Sequence, residues 1–245
     1  MIVFIIPLKS AKVSKSWERT CYLLDRTLRS ICGQTCDDFR IVVVCHEKPI
    51  LEFSTPFVEY IEADLPIPSR EWFTTNIDKS KKLRIGLERG KQYHPSHVMV
   101  VDADDLISNK IVGFVKKNPE QIGWLINRGY IHEFKNKYLY CLRKDFVDYC
   151  GSSVIIKTDL FECLFTEEDY YDHKCSTLPA HGISLNNLPF CGAVYSRVNG
   201  QNNFAVDPFY TKLLPKGDYI AYIKHLIRFR FITSQVKNEF GFYLV

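Results

Sequence analysis

Four apolar runs organise the first hundred residues. Val3 to Ile6 is a continuous β-branched and aromatic run, the pattern of a strand covered on both faces, and Arg40 to Cys45, Phe57 to Ile61 and Val98 to Val101 read as three further strands. Between the first two, Leu24, Leu28 and Ile31 recur at helical spacing, with Ser16 placed to cap a helix and Gly33 to end it. A basic segment from Asp78, its cap, to Arg89 reads as a second helix stopped by Gly90. Strand, helix, strand, strand, helix, strand is an α/β pattern with a mostly parallel sheet.

The second half is less regular. Ile122 to Ile126, Tyr138 to Leu142, Ser153 to Ile156 and Ala193 to Tyr195 read as strands, and Thr158 to Phe165 as a short helix. Asp218 to Phe231 reads as a longer, basic and aromatic helix. It is expected to pack on the sheet, the alternative being a peripheral rest on an anionic membrane near a lipid-linked acceptor.

Composition narrows the field. At 46% hydrophobic and 24% charged, the chain can bury a core, which excludes general disorder. A formal charge of +4 argues against a nucleic-acid binder. Nine cysteines, scattered and without two pairs at zinc spacing, read as buried thiols in a reducing compartment. Cys32 and Cys36 are the nearest candidate pair. The opening Met1 to Leu8 segment lacks a basic lead and is cut by Pro7, so it reads as a strand and not a signal peptide. No run of 18 apolar residues is present. The expected location is cytoplasmic.

Candidate chemistry concentrates at Asp102-Ala103-Asp104-Asp105, directly after the fourth apolar run. Ligands in open α/β sheets sit outside the carboxyl ends of strands. Three carboxylates in four residues repel one another unless positive charge answers them. Asp102 and Asp104 can share a hard divalent ion with phosphate oxygens; the competing view is a solvated turn.

The set Val3-Phe4-Ile5-Ile6-Pro7-Leu8, Leu28 to Thr35, Phe39 to Val44 and Val100 to Asp105 resembles the family-2-like glycosyltransferases of the glycosyltransferase-A fold. The match covers about the first 110 residues. It implies one glycosyltransferase domain over 1–245, with a nucleotide-sugar half at 1–110 and an acceptor half with a C-terminal helix at 111–245. It further implies a nucleoside-diphosphate sugar donor, UDP-linked first, a Mn²⁺ or Mg²⁺ ion at Asp102 and Asp104, and a glycan or lipid-linked acceptor. The expected reaction is hexosyl transfer with inversion, in cell-surface polysaccharide synthesis. Pro7 and Leu8 would line the nucleoside pocket, and Glu47 would stand near the base where the family has Asp. Lys82 and Arg84 would meet the diphosphate; the family's Arg-Asn pair is absent.

Inversion needs a base for the acceptor hydroxyl. The resemblance implies an acidic pair beyond a glycine-serine strand segment, which Cys150 to Lys157 is similar to; on that ground Asp169 leads, with Glu168 assisting, against a solvated acidic turn. His181, between Ala180 and Gly182, is the rival base or a third metal ligand. The Asn199 to Asn203 turn would grip phosphates or sugar hydroxyls, and Trp124 would stack on an acceptor sugar or lie in the core. Two other readings remain: a nucleotidyltransferase, disfavoured because Pro7 to Lys12 has no glycine, and a non-catalytic glycan-binding protein.

Overall fold

Alternation along the first strand explains how the protein is layered. The computed structural model describes residues 1–201, 223 and 226–242. In β1 (Ile2–Pro7), Ile2, Phe4 and Ile6 join Leu24, Leu28 and Ile31 of α1 (Trp17–Cys32) in one buried cluster. Val3 and Ile5 face the other way, into a second cluster with Leu83 and Leu87 of α2 (Trp72–Lys91). Side chains alternate across a strand, so a continuous apolar run is what a sheet between two helical layers demands. β2 (Phe39–Cys45), β3 (Val58–Glu62) and β4 (His97–Val100) extend it in parallel register. The Ser16 side chain accepts from Arg19 N at 3.1 Å and Gly33 closes the helix, as the spacing predicts. Gly86 lets α2 lie against β1: a Cβ there would fall 2.4 Å from Ile5 Cγ2.

Past β4 come β5 (Leu106–Ile107), α3 (Ile111–Lys117), β6 (Gly123–Leu125), β7 (Gly129–Glu133) and β8 (Tyr138–Leu142). β9 (Val154–Lys157), β10 (Asn186–Asn187), β11 (Ala193–Arg197), β12 (Phe229–Phe231) and α4 (Ser234–Phe240) follow. The main sheet has seven strands in the order β10-β6-β9-β4-β1-β2-β3, and β9 is antiparallel to both neighbours. A second, five-stranded sheet runs β12-β8-β7-β11-β5. The mixed α/β architecture expected from the pattern, a mostly parallel sheet flanked by helices with a less regular second half, is present.

The short helix expected over Thr158 to Phe165 is present as a 3₁₀ helix, Thr158–Leu164. Two expectations need correction. The helix expected from Asp78 starts at Trp72, and Asp78 lies inside it, bonded to Lys82 one turn on. Half of the helix expected over Asp218 to Phe231 lies outside the described residues, and its last three residues are a strand. Cross-strand pairing accounts for that: Phe229 sits opposite Tyr140, and Phe231 opposite Tyr138, with ring centroids 5.3 and 4.7 Å apart. All nine cysteines are free thiols. Among the described residues, no helix is long and apolar enough to cross a membrane.

His132 in β7 is 1% exposed; its Nε2 donates to Asn136 O at 3.1 Å, and Nδ1 has no partner. Burial holds its pKa down to about 4. As pH falls below about 6.5 the unfolded chain takes up this proton first, so stability is lost down to about pH 4. Urea denaturation should show the wild type losing up to about 3 kcal/mol more than His132→Phe across that window.

Candidate functional site

The carboxyl ends of β1 and β4, parallel neighbours, open onto one cleft of about 550 Å³. Pro7, Leu8 and Lys9 enter it from β1, and Asp102 and Asp104 from the turn after β4. The three aspartates of that turn have separate fates. Asp105 is fully buried, and its carboxylate accepts from Ser152 Oγ at 2.7 Å, Cys150 Sγ at 3.2 Å and Ser196 N at 3.0 Å. Burial, then the charge of Asp104, pushes its pKa well up. It braces the turn from inside and does not reach the cleft.

Asp104 accepts from Asn199 Nδ2 at 2.7 Å. Burial and then Asp102 raise its pKa, against the pull of Asn199, Lys9 and Lys79. Asp102 donates its N–H to Ser152 Oγ at 2.8 Å, and its Oδ1 lies 2.6 Å from Lys79 Nζ. Lys9 Nζ reaches Gln201 O at 2.5 Å, and burial lowers its pKa while Asp104 raises it. His173 lines the same cleft; burial, then the charge of Lys79, pushes its pKa below the usual histidine value, which leaves a neutral imidazole at pH 7.

The expected site residues divide. Pro7, Leu8, Lys82, Asp102 and Asp104 line the cleft. Lys82, though, is 1% exposed and donates to Leu8 O at 2.8 Å and Asp78 Oδ2 at 2.7 Å, so it ties α2 to the end of β1 at the floor. Glu47 is not among the lining residues: its carboxylate accepts from Ser10 Oγ at 3.0 Å and from Ala11 N, holding the loop after β1. Arg84 is outside the lining as well, paired with Glu162 at 3.1 Å and with Asp169.

Asp169, Glu168 and His181 do not line the cleft. Asp169 faces Arg84, Glu168 is exposed, and His181 is exposed at the end of a 3₁₀ turn. Trp124 is 3% exposed, packed between His97 and Phe114 with centroids 5.3 Å away on each side, so its faces are closed to a sugar. From the Asn199 turn, Gln201 lines the cleft and Asn199 bonds Asp104 beneath it; Asn202 and Asn203 lie outside the described residues.

Lys79 and His173 are cleft residues that the sequence reading did not single out. Lys79 had a usable signal, since it stands three residues before Lys82 and shares its helix face. His173 sits in a loop with no periodic neighbour to mark it. For a metal, no group of three His, Cys, Asp or Glu side chains occurs among the described residues. Of the three carboxylates that line the cleft, Asp78 is paired with Lys82, and Asp102 and Asp104 are left as the two from which Mg²⁺ or Mn²⁺ is held when phosphates complete its shell, so the donor set fits a hard ion shared with a ligand.

Ser152 and Ser153 are both fully buried, but only Ser152 is bonded; Ser153 Oγ has no partner. Ser152→Ala should cost about 1–3 kcal/mol in urea denaturation, because buried Asp105 loses a donor, while Ser153→Ala should stay within about 0.5 kcal/mol of wild type.

No family model matches the chain, and no curated protein matches it. Among solved structures it is similar to S. aureus TarS 1-349, at 13% identity over 80% of this chain and 60% of that one, with a TM-score of 0.44. It is similar to the bifunctional IspDF from Campylobacter jejuni, at 15% identity over 86% and 53%, TM-score 0.44. A UDP-glucose pyrophosphorylase from Acinetobacter baumanii is similar at 9% identity over 93% and 99%, TM-score 0.41. The chain spans 60% and 53% of the first two, and likenesses at this level carry no argument about what the protein does.

Proposed function

We propose that the protein is a glycosyltransferase that takes a sugar from a nucleoside diphosphate and passes it to a hydroxyl of a glycan or lipid-linked acceptor. The observation that carries this reading is the pair Asp102 and Asp104, set at the end of a buried strand in a cleft rich in lysine. An acceptor oxygen attacks the anomeric carbon, the bond from that carbon to the diphosphate breaks, and the bonding pair leaves on the diphosphate oxygen. Lys9 and Lys79 face that developing charge, and Pro7 and Leu8 support the nucleoside. Asp102 and Asp104 would hold Mn²⁺ or Mg²⁺, which when bound supplies further positive charge to the departing group.

The acceptor proton needs a base that is neutral or anionic and faces the cleft. His173 meets both conditions. Asp169, the residue favoured by its place in the sequence, is engaged by Arg84 outside the lining. Inversion at the anomeric carbon is the outcome this single displacement entails. UDP-sugars are the first donors to try, and cell-surface polysaccharide is the product class that the resemblance suggests.

The test is a panel of nucleotide sugars scored for thermal shift with Mn²⁺ and for slow donor hydrolysis. At least one donor should be hydrolysed to its nucleoside diphosphate. Asp104→Ala should lose the increment that Mn²⁺ adds to the shift. His173→Ala should keep donor binding and lose about 100-fold or more in kcat. Release of pyrophosphate from a nucleoside triphosphate and a sugar phosphate, with every nucleotide sugar left intact, would instead establish nucleotidyl transfer.

A further inference from the structure

Among the described residues, the cleft is lined by five basic side chains, Lys9, Lys15, Arg70, Lys79 and Lys82, against three carboxylates, Asp78, Asp102 and Asp104. Lys82 and Asp78 answer each other at the floor. Lys79 differs from Lys82 in its exposure: its side chain is 25% exposed, and Asp102 beside it 29%. Bare backbone lies behind the pair, since a Cβ on Gly151 would fall 2.4 Å from Asp102 Oδ2 and 3.0 Å from Lys79 Nζ. Both partners line the cleft and are partly exposed, with the Tyr171 ring centroid 5.6 Å from Lys79 Nζ. An ammonium has three N–H donors, and Asp102 Oδ1 engages one, leaving donors for a phosphate oxygen.

The balance of charge agrees. With more cations than carboxylates on its walls, the cleft is already matched to a group carrying two or three negative charges before any metal enters. We infer that Lys79 is the cleft's built-in diphosphate-binding cation, so that a diphosphate group binds here without a divalent metal. A metal at Asp102 and Asp104 then strengthens the binding and does not create it. The inference rests on reading the cleft as a nucleotide-sugar site, and it assigns to one lysine the charge otherwise left to the ion.

Calorimetric titration with inorganic pyrophosphate, in EDTA and again in Mn²⁺, tests it on four proteins: wild type, Lys79→Gln, Lys79→Arg and Lys81→Gln. Lys81 is exposed on the same helix, outside the cleft lining, and removes the same charge. In EDTA the wild type, Lys79→Arg and Lys81→Gln should bind, and Lys79→Gln should bind about tenfold or more weakly. Mn²⁺ should narrow that deficit. Wild type that binds only in Mn²⁺, or Lys79→Gln that matches Lys81→Gln in EDTA, would overturn the inference. Pyrophosphate binding in EDTA without turnover of any nucleotide sugar would remove the glycosyl-transfer reading alone. Turnover with binding that depends wholly on Mn²⁺ would remove the inference alone.

Discussion

Three carboxylates in four residues must coexist at the end of β4. Two like charges about 5 Å apart cost about 3 kcal/mol at an effective dielectric near 20, a large share of a domain's net stability. The protein answers each charge separately. Asp105 is turned inward to hydroxyl, thiol and backbone donors, and burial favours its neutral form. Asp104 takes the Asn199 amide and faces Lys9, while Asp102 takes Lys79. What is left pointing into the cleft is a carboxylate pair with its counter-charges already in place.

The donors come from segments far apart in the chain. Ser152 stands 47 residues beyond Asp105, and Ser196 stands 91 beyond it. The second sheet delivers Ser196, because β11 leads from its pairing with β7 into the Asn199 turn. The irregular second half of the chain is thereby part of the site's foundation. The rigid part is the main sheet, whose strand faces alternate between α1 and α2 and leave β1 and β4 side by side with their carboxyl ends open.

Lysine chemistry in the cleft follows from depth. Lys82 and Lys79 lie on one face of α2, three residues apart, yet Lys82 is sealed under Leu8 and Lys79 reaches the edge of Asp102. A sealed ammonium must spend its donors on protein acceptors, and one at a wall keeps some for a ligand. The same distinction separates Asp105 from Asp102 within a single turn. In both cases position along the sheet edge, measured in one or two residues, divides structural charge from charge offered to the cleft.

Local pattern determined the parallel core. Continuous β-branched runs have no stable place except between two covering layers, Ser16 and Gly33 carry their own capping chemistry, and an aspartate cluster after such a run must stand at a strand's open end. Tertiary contact decided the rest. Trp124 is enclosed by His97 and Phe114, Asp169 is turned to Arg84, and Phe229 to Phe231 pair as a strand with Tyr138 to Tyr140. His173 reaches the cleft from a loop that no periodicity marks. Spacing along a chain specifies which face of its own element a side chain occupies; what stands opposite that face depends on residues tens of positions away, and only folding brings them there.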